Sequence, residues 1–182
     1  MDAIEILESD HRRVEQLFDR FRGAEGDARE KGRVVDQVIR ELSVHAAIEE
    51  EIFYPAVRAA VAGGDDLVEH SLEEHREVKE LLAELGTMSP DDPAFDPKVE
   101  KVISDVSEHV KEEEGDHFPR LRQAISANEL LEMGAKLEAG KKRAPTRPHP
   151  HAPATPPGNI VAGRAASAID KLRDKMKGRE SA

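Results

Sequence analysis

The chain has no cysteine and no tryptophan, and only one tyrosine and five phenylalanines among its 182 residues. Without thiols there can be no disulfide, thiolate zinc site, cysteine-held iron–sulfur cluster or cysteine nucleophile, so any metal must rest on His, Asp and Glu. Few aromatics, with 38% hydrophobic against 36% charged residues, argue against a sandwich or barrel and for a heavily solvated helical domain. No apolar stretch is long enough to cross a membrane, and the acidic N-terminus (Met1, Asp2, Ala3, Ile4, Glu5) lacks the basic n-region of an export signal. A soluble, cytoplasmic protein with no transmembrane segment is expected. Glycine-rich phosphate loops, a nucleophile elbow and a Ser-His-Asp arrangement are missing as well.

Negative charge dominates, but unevenly. Residues 141–182 carry 10 Lys+Arg against 3 Asp+Glu, a net of +7, which leaves 17 against 35, or −18, for residues 1–140. The expected organisation is a helical body over 1–140, a Pro-rich disordered linker over 141–163, and a basic amphipathic helix over 164–182. Ala165, Ile169, Leu172 and Met176 form the apolar stripe of that helix, which is expected to dock on the acidic bundle or on a second subunit. His149 and His151, in the linker, are read as solvated. No nucleic-acid partner is expected, because no binding motif is present and the body repels phosphate.

Four segments of the body repeat apolar residues at helical spacing. Their seams run Ile4, Leu7, His11, Val14, Phe18; Val38, Leu42, His45, Glu49, Ile52; Ser71, His75, Val78, Leu82; and Val99, Val102, Val106, His109, Glu113. Asp27 caps the second segment, and Asp96 followed by Pro97 opens the fourth. Short joints between four amphipathic helices make the fold class all-α, an antiparallel up-down four-helix bundle, with residues 127–139 adding a short fifth helix. Six positions that should bury Leu or Val instead carry His11, His45, Glu49, His75, His109 and Glu113, and burying such groups costs several kcal/mol each unless something compensates.

An internal repeat connects those six. Shifting the chain by 64 residues, with no gap, aligns His11 on His75, His45 on His109, Glu49 on Glu113, Glu50 on Glu114 and Pro55 on Pro119. Each helical hairpin thus supplies one His and one His-x-x-x-Glu, whose four-residue spacing turns both side chains to one face. Two copies about a pseudo-twofold axis gather four imidazoles and two carboxylates, a donor set for two ions bridged by Glu49, Glu113 and a water-derived oxygen, with positions left open. Six convergent ligands exceed what one structural zinc needs, which makes iron the leading candidate.

These motifs resemble the hemerythrin-like proteins, or HHE cation-binding domains, over about residues 1–135. The resemblance implies a four-helix bundle holding two non-haem Fe ions with an oxo or hydroxo bridge, both carboxylates bridging and His11, His45, His75 and His109 terminal. It implies a small-molecule ligand: O2, hydrogen peroxide or nitric oxide. Catalase-like peroxide decomposition is the enzymatic expectation; an iron or oxygen sensor, carrier or store is the alternative. Oxygen-carrying hemerythrins have a fifth His one turn before the third-helix ligand, where this chain has Ser71, and an acidic ligand five residues after the fourth-helix His, here Glu114 rather than Glu113. The internal repeat favours Glu113. His70 lies about 140° from His75 on an ideal helix and is expected to face away; Tyr54 is a candidate for the centre because the helix must deviate at Pro55, although an ideal helix puts it about 180° from His45, which favours ordinary packing. His117, Glu50 and Glu114 are candidates to hydrogen-bond the ligands from outside.

Overall fold

The computed structural model describes residues 1–180, with side chains described as far as residue 175. Helix α1 (Ala3–Gly23) opens with a capping box: Asp2 accepts from Glu5 N while the Glu5 carboxylate takes Asp2 N. It packs antiparallel on α2 (Ala28–Ile48), which is capped by Asp27. A π-helical turn, Glu49–Phe53, carries α2 into α3 (Tyr54–Ala60). After the left-handed Gly63, helix α4 (Gly64–Leu85) pairs with α5 (Phe95–Glu112), and a second π-helical turn, Glu113–His117, leads into α6 (Phe118–Ala124). Helix α5 begins at Phe95, one residue before the expected Asp96 cap, and it is Asp92 that accepts the Ala94 N–H ahead of it. The expected fifth helix is α7 (Ala127–Lys141), lying on α1 and α2. The described residues form the expected all-helical bundle.

The apolar faces gather into two clusters. One contains Val14, Phe18, Val38, Val78, Leu82, Phe95 and Val102. The other contains Ile4, Leu7, Ile48, Phe53, Val57, Phe118, Leu121 and Leu137. Along α1 and α2 the level between them is held by His11 and His45, so the polar seam residues form a layer inside the bundle.

The last part of the chain differs from expectation at three points. Helix α8 (Gly158–Glu180) begins six residues before the expected boundary, and the segment ahead of it is anchored. Buried Asp170 accepts from the backbone N–H groups of Thr146 and Arg147, and His149 Nε2 lies 3.1 Å from the same carboxylate, so His149 is bonded rather than solvated. The helix turns Ser167 and Asp170 inward, where Asp170 accepts the two linker amides, and leaves Val161, Ile169 and Leu172 exposed. Asn159 reaches the bundle by donating to Glu50 O. Met176 of the expected stripe lies outside the described side chains.

Candidate metal centre

The two π-helical turns have a common origin in sequence. Pro55 and Pro119 have no N–H to give to the carbonyl four residues back, and their rings would clash with it. The chain widens the preceding turn instead, so that Tyr54 N–H bonds Glu49 O and Phe118 N–H bonds Glu113 O, a five-residue step in each repeat. Each widened turn begins at the Glu of a His-x-x-x-Glu pair.

The six seam residues converge. His11, His45, Glu49 and Glu113 offer donor atoms within 4.8 Å of one another, and so do Glu49, His75 and His109. Glu49 belongs to both groups: its Oε1 lies 3.1 Å from His45 Nε2 and its Oε2 3.4 Å from His75 Nε2. Glu113 Oε2 lies 3.5 Å from the Nε2 atoms of both His11 and His109. Within each imidazole pair the Nε2 atoms are 3.1 Å apart for His11 and His45, and 3.3 Å for His75 and His109. All six side chains are buried, Glu49 and Glu113 completely.

Both oxygens of Glu49 and Oε2 of Glu113 are buried without a hydrogen bond. Orphaned carboxylate oxygens of this kind are rarely left without compensation. Facing imidazole nitrogens, they are the donor set of a cation site. Charge tells the same story. Burial opposes ionisation of Glu49, but His45 and His75 hold it well below the usual carboxylate range. Reciprocally, burial disfavours imidazolium at His45 and His75, yet Glu49 pushes their pKa values up to about 10 and about 9. Glu49 thus keeps positive charge beside it, carried as protons on His45 and His75.

A second layer fixes the imidazoles. The Nδ1 atoms of His11, His75 and His109 lie 2.9, 3.0 and 2.8 Å from Glu114, Glu50 and Glu74, while His45 Nδ1 is 3.6 Å from Asp10, beyond hydrogen-bond reach. Glu50 and Glu114 thus take the supporting role expected of them, and 64 residues separate Asp10 from Glu74 as well. A proton on Nδ1 leaves each Nε2 free as a lone-pair donor pointing inward.

Tyr54 enters the centre, as the deviation at Pro55 allows, rather than the ordinary packing that ideal helix geometry favours. Its hydroxyl donates to Glu113 Oε1 at 3.0 Å and lies 3.0 Å from His75 Nε2. The widened turn puts Tyr54 where an unbroken helix would put residue 53, about 40° from Glu49 instead of about 140°. The signal was the proline one residue later. Burial and then the Glu113 charge raise the phenol pKa well above its usual value, so the hydroxyl keeps its proton. Its counterpart, Phe118, stacks on His11 at 5.7 Å. Asp10 and Glu74, which sequence reasoning did not single out, were readable from the acidic residue directly before His11 and His75.

Residues 2–121 match the sequence model of the Hemerythrin HHE cation binding domain. The chain belongs to that family. Among hemerythrin-like relatives, an uncharacterized hemerythrin-like protein of Schizosaccharomyces pombe is 34% identical over 92% of this chain and 83% of its own length. A DNA nickase of Nostoc is 28% identical over 79% of this chain, which spans 40% of that longer protein. The crystal structure of a hemerythrin HHE cation binding domain-containing protein from Mycobacterium kansasii superposes with a TM-score of 0.69, at 26% identity, over 78% of this chain and 86% of the other. Against the hemerythrin carrier pattern, Ser71 is buried and bonds Leu67 O, adding no imidazole. Glu113 faces the Nε2 atoms of His11 and His109, whereas Glu114 meets His11 at Nδ1. His70 is 60% exposed, as its angle from His75 requires. His117 is buried but bonds none of the carboxylates, against expectation; it lines an open cleft with His70 and Glu112.

Proposed function

We propose that this hemerythrin-family chain is a non-haem di-iron protein whose centre reacts with O2, hydrogen peroxide or nitric oxide, with peroxide decomposition as its activity. The observation that carries the reading is the pair of overlapping donor groups sharing Glu49. His11 and His45 would hold one ion, His75 and His109 the other, with Glu49 and Glu113 bridging. Bound iron supplies Lewis acidity and reversible one-electron chemistry at positions the protein leaves open.

The chain's own groups do the rest. Glu114, Glu50 and Glu74 hold the imidazoles of His11, His75 and His109 in the tautomer a metal needs, and Asp10 faces the Nδ1 of His45 at 3.6 Å. Tyr54 keeps a proton on its phenol oxygen between Glu113 and His75, where it can be given to a small molecule and taken back. Beside the imidazoles lies a cavity of about 40 Å³ walled by Val14, Leu42, Val78, Leu82 and Val106, large enough for a diatomic or peroxide and inhospitable to bulk water.

The test is metal analysis and an optical spectrum of the full chain, followed by peroxide decay. Two irons per chain and a visible charge-transfer band are expected, with band and decay both lost in His45→Ala. Protein reconstituted with Fe(II) that holds no iron overturns the proposal. Peroxide decay equally slow in wild type and His45→Ala, with iron present only in the former, overturns the catalytic part and leaves binding without turnover.

A further inference from the structure

The four carboxylates that face the imidazole Nδ1 atoms each carry a second interaction on their outer side. At Asp10 it is Lys141, 2.8 Å away; at Glu50 it is Lys79, at 2.6 Å; at Glu114 it is Arg12, at 2.6 Å. Each buried or half-buried carboxylate is thereby balanced by a permanent cation. Glu74 breaks the pattern. Among the described residues no lysine or arginine pairs with it; its Oε2 serves His109 and its Oε1 faces His70 Nε2 at 3.5 Å. His70 Nε2 is also 3.5 Å from Glu112 Oε2, and the three donor atoms lie within 4.8 Å of one another. Where the other three positions have a positive charge, this one has a second carboxylate.

His70 and Glu112 also border an open cleft of about 620 Å³, whose wall adds Glu108, Lys111, Asp116 and His117. His117 is only 4% exposed and has no hydrogen-bond or ion-pair partner among the described residues. It lines the cleft together with His70, so a second imidazole is available there. The internal repeat shows that none of this follows from the shared fold. The residues 64 positions earlier than His70, Glu112 and His117 are Ile6, Ile48 and Phe53, all buried in an apolar cluster with Leu130 and Leu137 of α7.

We infer that His70, Glu74 and Glu112, with His117 beside them, form an outer divalent-cation site, the station through which iron enters the buried centre. One imidazole and two carboxylates are a mixed N/O donor set suited to Fe(II) or Mn(II), and a bound dication supplies the charge that Glu74 lacks. Glu74 spans the two sites, with one oxygen outside and the other on His109. An ion at His70 is therefore one carboxylate away from the inner imidazoles, whose own ligands are closed to solvent. This inference rests on the inner centre binding iron.

The experiment uses the full chain and the His70→Ala/Glu112→Gln double variant, neither residue belonging to the inner donor set. With the inner centre filled with iron, wild type should bind one further Mn(II), read by electron paramagnetic resonance of the free ion. The variant should bind it at least about tenfold more weakly, the scale seen when a metal's supporting groups are removed. Stopped-flow uptake of Fe(II) by metal-free protein should slow about tenfold in the variant, while its final iron content and spectrum match wild type. No extra Mn(II) on iron-loaded wild type, or equal uptake rates, overturns the inference. Wild type that holds no iron at all fails the di-iron proposal instead, and the two failures are separate readouts.

Discussion

In the first hairpin Ile6, Ile48 and Phe53 lie under α7, whereas their counterparts 64 residues on, His70, Glu112 and His117, face an open cleft. The inner layer is conserved across the same shift: His on His, Glu on Glu, Asp10 on Glu74. A duplicated hairpin therefore keeps its twofold character where a symmetric donor set is needed and loses it at the periphery. Even inside, the symmetry is imperfect. Glu49 meets an imidazole nitrogen at each oxygen, while Glu113 has the Tyr54 hydroxyl on one oxygen and two more distant nitrogens on the other.

The largest consequence concerns protons. In the metal-free protein His45 and His75, both against Glu49, have pKa values of about 10 and about 9. Both exceed the ordinary imidazole value of about 6.5, so the stability they contribute is complete below that pH and drains away as pH rises through 9 to 10. Iron requires both nitrogens free, so each uptake releases those protons and binding strengthens as pH rises. For two protons the gain is about a hundredfold per pH unit around neutrality. Chelator competition at pH 6.5 and 7.5, with proton release followed by indicator dye, checks the slope. In metal-free Glu49→Gln both imidazoles should titrate lower by NMR, although Asp10 still raises His45 and Glu50 still raises His75; unchanged titration would mean that Glu49 is not the charge the two share.

The periphery is tested by glycine. A Cβ at Gly134 would sit 2.7 Å from Met1 O and 3.0 Å from Asp2 C, against backbone that cannot turn aside. Gly134→Val should lift α7 from the first hairpin and cost about 1–3 kcal/mol in chemical denaturation. The uncovered half offers the contrast: a Cβ at Gly115 meets nothing within 4 Å, so Gly115→Ala should leave stability unchanged or raise it by up to about 1 kcal/mol. Equal losses at both positions would show that α7 is not what distinguishes the halves.

Much of this arrangement is legible in the amino-acid sequence. The helical seams, the repeat and the six convergent donors follow from spacing, because a polar residue at an apolar position is conspicuous and its recurrence at a fixed offset more so. What periodicity does not carry is the consequence of Pro55 and Pro119. An ideal helix continued past the His-x-x-x-Glu pairs misplaces Tyr54, since one extra residue in the turn moves it from outer packing to the centre. The C-terminal segment departs from expectation for a different reason. Composition reports what a Pro-rich stretch is made of, but Asp170, more than twenty residues away, decides where its amides and His149 go.

Tyr54 and Phe118 are the one aromatic pair in which the two halves differ inside the donor layer, and Tyr54→Phe makes them alike. The substitution keeps the ring and its packing against Phe53, and removes only the hydroxyl that donates to Glu113 Oε1. If holding iron depends on the symmetric six alone, the variant should still take up two irons per chain. Its metal-free form should lose about 1.5 kcal/mol, the scale of one hydrogen bond to a charged acceptor, measured by urea denaturation. Peroxide decay by the iron-loaded variant should slow, since the retained proton beside His75 is gone, with iron content unchanged. Loss of iron from Tyr54→Phe would break the comparison at its centre, because the phenol would then belong among the groups that hold the metal, and the two halves would be unequal in binding as well as in proton supply.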